Sequence, residues 1–321
     1  MRRLFLLVVV LAGLTTAAPS NAGAPTRVIS IADVHGGFEP FVAILQRAGL
    51  IDAQKKWIGA NTVFVQTGDL TDRGNGVRET LELMMSLEQQ ASAAGGRVHA
   101  LLGNHEIMNI VGETRDVSPE TLAAFGGEAA YRDAFGPTGR YGKWLRTRSP
   151  VVKVEDSMFM HAGINPDVTT DSIDMLNRTV RELVSRWDDG VRTLLEKNLV
   201  KPGAGFKEII DAADANKIPL AEIVNSHLFH PEGLMWFRGY STWPEADGAP
   251  RVEALLKRYK VKRIVSGHTV QAKGEITERF GGAIFLIDTG MLDSTFFPGG
   301  RPSALEITAA GAKPIYLDPP R

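Results

Sequence analysis

One run limits what this chain can fold into more than any other: Gly68-Asp69-Leu70-Thr71-Asp72-Arg73-Gly74, directly after Val63-Phe64-Val65. The apolar, β-branched triplet reads as a buried strand, and the glycine-bounded run after it as a tight turn. Two carboxylates and a guanidinium at the end of a buried strand are costly to desolvate unless a metal ion or bound anion neutralises them. A fold containing this run must therefore bring partner groups to the same strand end.

The same device recurs along the chain. Arg27 to Ala32 reads as a strand ending in Asp33-Val34-His35-Gly36-Gly37, and Phe38, Phe41, Val42, Ile44 and Leu45 follow at helical spacing from about Glu39-Pro40. Taken alone, Asp33 and His35 read equally as a turn aspartate beside a structural histidine. A helix is expected over Val77 to Ala91, and then a strand, Arg97 to Leu102, ending in Gly103-Asn104-His105-Glu106. Met158 to Met160 leads into His161-Ala162-Gly163, and Arg263 to Val265 into Ser266-Gly267-His268 after a helix over Arg251 to Tyr259. The last strand expected is Ala283 to Ile287, followed by Asp288-Thr289-Gly290-Met291, with a proline-rich tail beyond it.

Between these units lie two stretches of another character. Residues 113–150 mix short helical patterns, Pro119 to Phe125 and Glu128 to Phe135, with an arginine cluster (Arg140, Arg146, Arg148) interleaved with Tyr141 and Trp144. A solvated face is the preferred reading of that cluster, a substrate-facing rim the other. Residues 170–230 read as several helices capping one side of the core; His227 and His230 near their end are expected to be ordinary surface or core histidines. Arg238, between aromatics and Gly239, either stacks or binds an anion.

Composition bounds the chemistry. A formal net charge of -1 over 321 residues argues against nucleic-acid binding, which needs a basic surplus. There are no cysteines, so thiol nucleophiles and thiolate metal sites are excluded. The N-terminus has the form of an export signal: Met1-Arg2-Arg3, an apolar run from Leu4 to Leu14, and Ser20-Asn21-Ala22 for cleavage after Ala22. A signal peptide over 1–22 and a single mature domain over 23–321 are therefore expected, in a periplasmic or secreted protein with no stable membrane association after cleavage.

Asp33, His35, Asp69, Asn104, His161 and His268 are all oxygen or imidazole donors placed just past buried strands. That donor set suits two ions of the Mn, Fe, Co or Zn type sharing one carboxylate. Asp33-Val34-His35-Gly36, Gly68 to Gly74, Gly103 to Asn109 (GNHEIMN) and His161-Ala162-Gly163 resemble the calcineurin-like metallophosphoesterase superfamily. Within it the chain is similar to the phosphoprotein phosphatases, most of all the bacterial Shewanella-like phosphatases. Val270, where the wider superfamily has a second histidine after Gly-His-x, agrees with the narrower placement.

The resemblance implies an α/β fold, a two-sheet β-sandwich flanked by helices with helical insertions near 113–150 and 170–230. It implies Asp33 and His35 on a first metal, Asp69 bridging, and Asn104, His161 and His268 on a second, the ions being Mn, Fe or Zn. His105 would be the general acid, oriented by Asp72; Arg73 and Arg238, with Asn104, would bind the phosphate. The implied activity is phosphomonoester hydrolysis by a metal-bridging hydroxide, on phosphotyrosine or phosphoserine/threonine in proteins. The alternatives are a small-molecule phosphatase or diadenosine tetraphosphate hydrolase, and a non-catalytic binding module; the last is disfavoured because none of the six donors is missing.

Overall fold

The structure is a computed structural model describing residues 27–169, 171–292 and 296–317; the expected signal peptide lies outside the described residues. Strand β1 (Val28–Ile31), helix α1 (Phe38–Arg47), β2 (Val63–Gln66), α2 (Val77–Ala93) and β3 (Arg97–Ala100) form two successive crossover units with β1, β2 and β3 parallel. Four helices follow: α3 (Asn104–Ile110), α4 (Pro119–Phe125), α5 (Glu128–Phe135) and α6 (Arg140–Leu145). Next come the hairpin β4 (Val151–Val154) and β5 (Ser157–Met160), and helices α7 (Ile173–Glu196), α8 (Phe206–Ala215), α9 (Ala221–Val224), α10 (Gly239–Thr242) and α11 (Glu245–Tyr259). Strands β6 (Arg263–Ser266), β7 (Thr277–Arg279), β8 (Ile284–Leu286), β9 (Ser303–Thr308) and β10 (Gly311–Tyr316) complete the described chain.

The strands make two five-stranded sheets, ordered β10-β9-β1-β2-β3 and β4-β5-β6-β8-β7. Alternate residues of both sheets meet in one apolar layer: Val63 and Val65 of β2 and Leu305 and Ile307 of β9 share it with Phe159, Val265 and Phe285 of the second sheet. The other faces, including Ile29, Ile31, Phe64, Met158 and Ile264, bury against helices in a second, larger cluster. Burial on both faces is why these strands read as continuous apolar runs rather than alternating ones. Each sheet has three parallel strands, β1, β2, β3 and β5, β6, β8, so six strand ends deliver their following turns to one edge of the sandwich.

Three expectations need correction. The tail carries the β9–β10 hairpin; its Pro314 obscured it, and that proline is tolerated because β10 is an edge strand. Helix α11 begins at Glu245, not Arg251, running through Pro250; the Glu245 carboxylate secures its first turn by accepting from Arg279 Nε at 2.9 Å and the Phe280 N–H at 3.0 Å. Of the arginine cluster, Arg140 is exposed, but Arg146 and Arg148 do not form a solvated face. Arg146 donates to both Asp188 oxygens at 2.8 Å, Arg148 pairs with Glu88 and Arg140 with Glu82, while Tyr141 and Trp144 are buried. These pairs fasten α6 to α2 and α7, and solvated charges at helical spacing look no different in sequence.

His99 lies on β3, beside Arg97 and Arg148. Burial, reinforced by those two guanidinium charges, pushes its imidazole down to about 4. The folded protein thus holds the ring neutral at pH values where the unfolded chain, with an ordinary pKa of 6.5, protonates it. The stability carried by neutral His99 is intact above pH 6.5 and is lost as pH falls towards 4. His99→Gln should therefore remove about 2–3 kcal/mol of the acid-induced loss of unfolding free energy across that window, measured by urea titrations at a series of pH values.

Candidate active site

The turn after β2 is held from three directions. Gln66 closes it on itself, donating from Nε2 to the Gly68 carbonyl at 2.6 Å and accepting the Gly68 N–H at 3.0 Å. The Val34 and His35 N–H groups both donate to the Asp69 carbonyl, at 2.8 and 2.9 Å, tying the first strand end to the second. Glu106, fully buried, accepts the Asp69 and Gly103 N–H groups on Oε2 (2.7 and 2.8 Å). Its Oε1 takes the Leu70 N–H, the Thr71 N–H and the Thr71 hydroxyl at 2.8 to 3.2 Å.

The backbone around these strand ends is unusual. His35, Asp69, Asp72, Arg73 and His268 all have positive φ, between 47° and 70°. Non-glycine residues adopt that region only where the surroundings over-determine it, and such strain concentrates at functional sites. Gly103 is required for a different reason: a Cβ there would stand 2.2 Å from Asp69 Oδ1, so only glycine lets the β2 and β3 turns meet.

The six predicted donors converge. Asp33, His35, Asp69, Asn104, His161 and His268 are all buried. The Nδ1 atoms of His35 and His161 face backbone carbonyls, Thr71 at 3.0 Å and Thr67 at 3.1 Å. Donation there places the proton on Nδ1 and turns the Nε2 lone pair inward. Asp69 Oδ2 lies 3.6 Å from His35 Nε2 and 3.4 Å from His161 Nε2; His161 Nε2 is in turn 2.8 Å from Asn104 Oδ1 and 3.1 Å from His268 Nδ1. Two donor groups result, His35 with Asp69 and His105, and Asp69 with His161 and His268, each within 4.8 Å. Asp69 is common to both, the position of a bridge. Asp33 stands beside them, Oδ2 3.9 Å from His35 Nε2 and Oδ1 accepting the His268 N–H at 3.0 Å.

The electrostatics point the same way. Burial pushes the Asp33 carboxyl well above its ordinary range, and Asp288 adds to the rise; burial does the same to Asp69, with Asp33 and Glu106 adding. Burial and neighbouring imidazoles drive His35 and His161 well down, and burial with the Arg238 charge drives His268 to about 3. Carboxylates and imidazoles are thus both pushed towards neutrality. Cations among them would reverse the penalty on the carboxylates and use the neutral imidazoles as they stand. The donors fit metal ions.

Around this centre, His105 Nδ1 is 2.7 Å from Asp72 Oδ2, leaving Nε2 towards the donors. Arg73 spans the mouth, one nitrogen 3.0 Å from His35 Nε2 and the other 3.3 Å from His105 Nε2, its guanidinium over the Phe297 ring at 5.3 Å. Arg238 is held by the His268 carbonyl at 3.1 Å and Thr269 Oγ1 at 3.0 Å. His227 and His230 lie outside both donor groups. Sequence reasoning passed over Asp288, Glu106 and Asn109. Asp288 follows β8, the sixth parallel strand, adds its charge to the rise of Asp33, and is itself raised to about 6 by burial. Its strand-end position was the available signal. Glu106 and Asn109 act by hydrogen bonds to distant turns, which spacing does not disclose.

Two parallel-centred sheets with a shared-carboxylate pair of donor groups and two flanking arginines define a metal-dependent phosphoesterase. Residues 26–272 match the calcineurin-like phosphoesterase family model, and the chain belongs to that family of dimetal enzymes. It is 32% identical to an uncharacterized protein of Schizosaccharomyces pombe, over 83% of this chain and 74% of the other. It is 27% identical to Shewanella-like protein phosphatase 1 of Plasmodium berghei, over 91% and 74%. The crystal structure of the cold-active protein-tyrosine phosphatase of a psychrophilic Shewanella superposes with a TM-score of 0.70 at 27% identity, covering 91% of this chain and 78% of that one. The protein is therefore a phosphatase, a hydrolase of phosphate esters.

Because Glu106 sustains the strained turn, Glu106→Gln should destabilise the fold by roughly 2–4 kcal/mol, as an amide presents two N–H groups to donors it must accept from. Chemical denaturation of the metal-free protein measures this.

Proposed function

We propose that the protein is an exported two-metal phosphomonoesterase acting on phosphoproteins, with phosphotyrosine the favoured side chain. The observation that carries this reading is the placement of Arg73, whose two terminal nitrogens face His35 Nε2 and His105 Nε2. An anion held by that fork sits between the donor cluster and a histidine paired with a carboxylate. Arg238 approaches from the His268 side as a second anion-binding group. In this reading Asp33, His35 and Asp69 would hold one ion and Asp69, Asn104, His161 and His268 the other, with Mn, Fe or Zn suited to oxygen and imidazole donors. When bound, the two ions supply Lewis-acid activation of water and of the phosphoryl oxygens.

The chain's own residues supply the rest. Arg73 and Arg238 bind and orient the phosphate and offset charge developing on its oxygens. His105, with Nδ1–H given to Asp72, carries a proton on Nε2 to the leaving oxygen. Asn104 contributes an uncharged oxygen, which does not repel the phosphate. Beside Arg238 opens a cavity of about 670 Å³ walled by Phe206, Phe229, Trp236 and Trp243, with Glu113 and Arg115 at its rim. An aromatic wall next to the phosphate-binding arginine supports an aryl ester and an extended peptide. The relatives named for protein phosphatase activity support the same class.

Metal-reconstituted protein spanning residues 23–321 should turn over phosphotyrosine peptides with a higher kcat/KM than phosphoserine peptides or dinucleoside tetraphosphates. Faster hydrolysis of the dinucleotide would replace the protein-phosphatase reading with a nucleotide one. Asp69→Asn should abolish turnover on every ester and lower metal content below two ions per chain by elemental analysis; an active variant would refute the bridging role.

Export rests on Met1 to Ala22, with its basic start and apolar run. In a bacterial host the full chain should yield a periplasmic product beginning at Gly23, identified by intact mass. A cytoplasmic product retaining Met1 would exclude export.

A further inference from the structure

Phe297 is half-buried at the mouth of the site, and among the described residues its ring belongs to neither apolar cluster of the protein. Core packing therefore does not account for a phenyl ring here. The loop after β8 is nevertheless built to hold it. The Phe297 carbonyl accepts the Gly300 N–H at 2.7 Å, and the Arg301 N–H donates to the Thr289 carbonyl at 3.0 Å, folding residues 297–301 back onto the strand end. Gly290, at φ 69°, takes the closest approach: a Cβ there would stand 2.7 Å from Phe297 Cβ. The Asp288-Thr289-Gly290 turn thus seats a ring that is turned to the active site.

Two groups meet that ring. The Arg73 guanidinium carbon lies 5.3 Å from its centroid, and the His35 imidazole lies 25° from its plane with centroids 6.5 Å apart. Arg73 needs such a support. Its backbone N–H donates to the Asp116 carbonyl at 2.8 Å, but among the described residues no carboxylate pairs with its guanidinium. What holds the fork is His35 Nε2 at 3.0 Å and His105 Nε2 at 3.3 Å. In the proposed function both of those nitrogens are engaged elsewhere, the first with a metal ion and the second with the leaving oxygen. The Phe297 ring is the contact that remains. A carboxylate in its place would cancel the charge that a phosphate needs; an aromatic face attracts the cation and leaves its N–H groups free.

We propose that Phe297 is a positioning residue for phosphate binding: its ring face seats the Arg73 guanidinium beside the donor cluster, so that the fork meets the phosphate oxygens without being neutralised. The proposal deepens, and rests on, the reading of Arg73 as a phosphate-binding group. Phe297 acts through Arg73 and not on the organic half of the ester. Its effect is therefore the same for aryl and alkyl esters, unlike that of the aromatic wall beside Arg238.

The test compares metal-loaded wild type, Phe297→Leu, Phe297→Tyr, Arg73→Ala and the Phe297→Leu, Arg73→Ala double variant. It reads the Kd of inorganic phosphate by titration calorimetry, kcat/KM on phenyl phosphate and glycerol 3-phosphate, and metal content. Phe297→Leu should weaken phosphate binding about fivefold, the size of a half-exposed cation–π contact, and lower kcat/KM on both esters by the same factor, with metal content unchanged. Phe297→Tyr, which keeps the ring, should restore the affinity. In the Arg73→Ala background Phe297→Leu should add no further loss. Unchanged phosphate affinity in Phe297→Leu would overturn the proposal, and so would a loss confined to phenyl phosphate, which would assign the ring to the aryl group of the substrate. A loss that persists undiminished without Arg73, or that accompanies lost metal, would mark a merely structural role and overturn it as well. If Arg73→Ala alone bound phosphate as wild type does, the phosphate-binding reading of Arg73 would fall, and the proposal with it.

Discussion

Glu106 is the contact on which the geometry of the site depends. One fully buried carboxylate accepts four backbone N–H groups and a hydroxyl from two turns that belong to different strands. Those turns contain Asp69 and the Asn104-His105 pair, so the relation between the carboxylate shared by both donor groups, the neighbouring amide and the adjacent histidine is set by a residue outside both donor groups. Within five positions the turn after β2 carries three left-handed residues, Asp69, Asp72 and Arg73, and the bonds from Glu106 to the Asp69, Leu70 and Thr71 N–H groups help to hold that strain. Hydrogen bonds to an ionised group are stronger than neutral ones, which is what a strained turn requires.

The two sheets impose the second constraint. A parallel strand ends where its neighbours end, so three parallel strands in each sheet bring six turns to one edge. Antiparallel strands would alternate their ends, and half the donors would have been lost to the opposite side. The apolar layer between the sheets then keeps those six ends at fixed separation. What results is a concentration of ionisable groups that burial makes unfavourable in their charged carboxylate form and favourable in their neutral imidazole form. A protein that spends stability on such a cluster has a use for ions there, and the match to a dimetal family agrees with the physics.

Much of this was legible in the sequence, for a definite reason. Each doubly buried strand reads as an apolar run, and a ligand-type residue directly after it breaks the pattern in a way that no packing role explains. That contrast revealed Asp33, His35, Asp69, Asn104, His161 and His268, which the structure brings together. It failed where the contrast is weak. Gly311–Tyr316 is a half-exposed edge strand with Pro314 in it, and Ser303–Thr308, though mostly buried, pairs beside it at the end of the chain, so the two read as tail. Asp288 stands at a strand end like the others, but an Asp-Thr-Gly run reads as ordinary turn chemistry. Arg146 and Arg148 resembled solvated charge because the carboxylates they meet, Asp188 and Glu88, come from helices α7 and α2, far away in sequence.

The segments outside the sandwich are usefully judged by which surface they cover. Helices α7 to α9 lead to the aromatic wall beside Arg238, where Trp236 turns its carbonyl to His268 Nε2 at 3.2 Å and sets its ring edge-on to that imidazole. The same residue therefore orients the His268 imidazole on one side and lines the cavity beside Arg238 on the other. Helices α4 to α6 instead gather beside α3, with the buried Tyr131 ring in a cluster with Phe125 and Phe135. Trp236 meets a residue at a strand end and α5 and α6 pack on the helix that follows another, so both segments are anchored to the edge of the sandwich that carries the donor cluster.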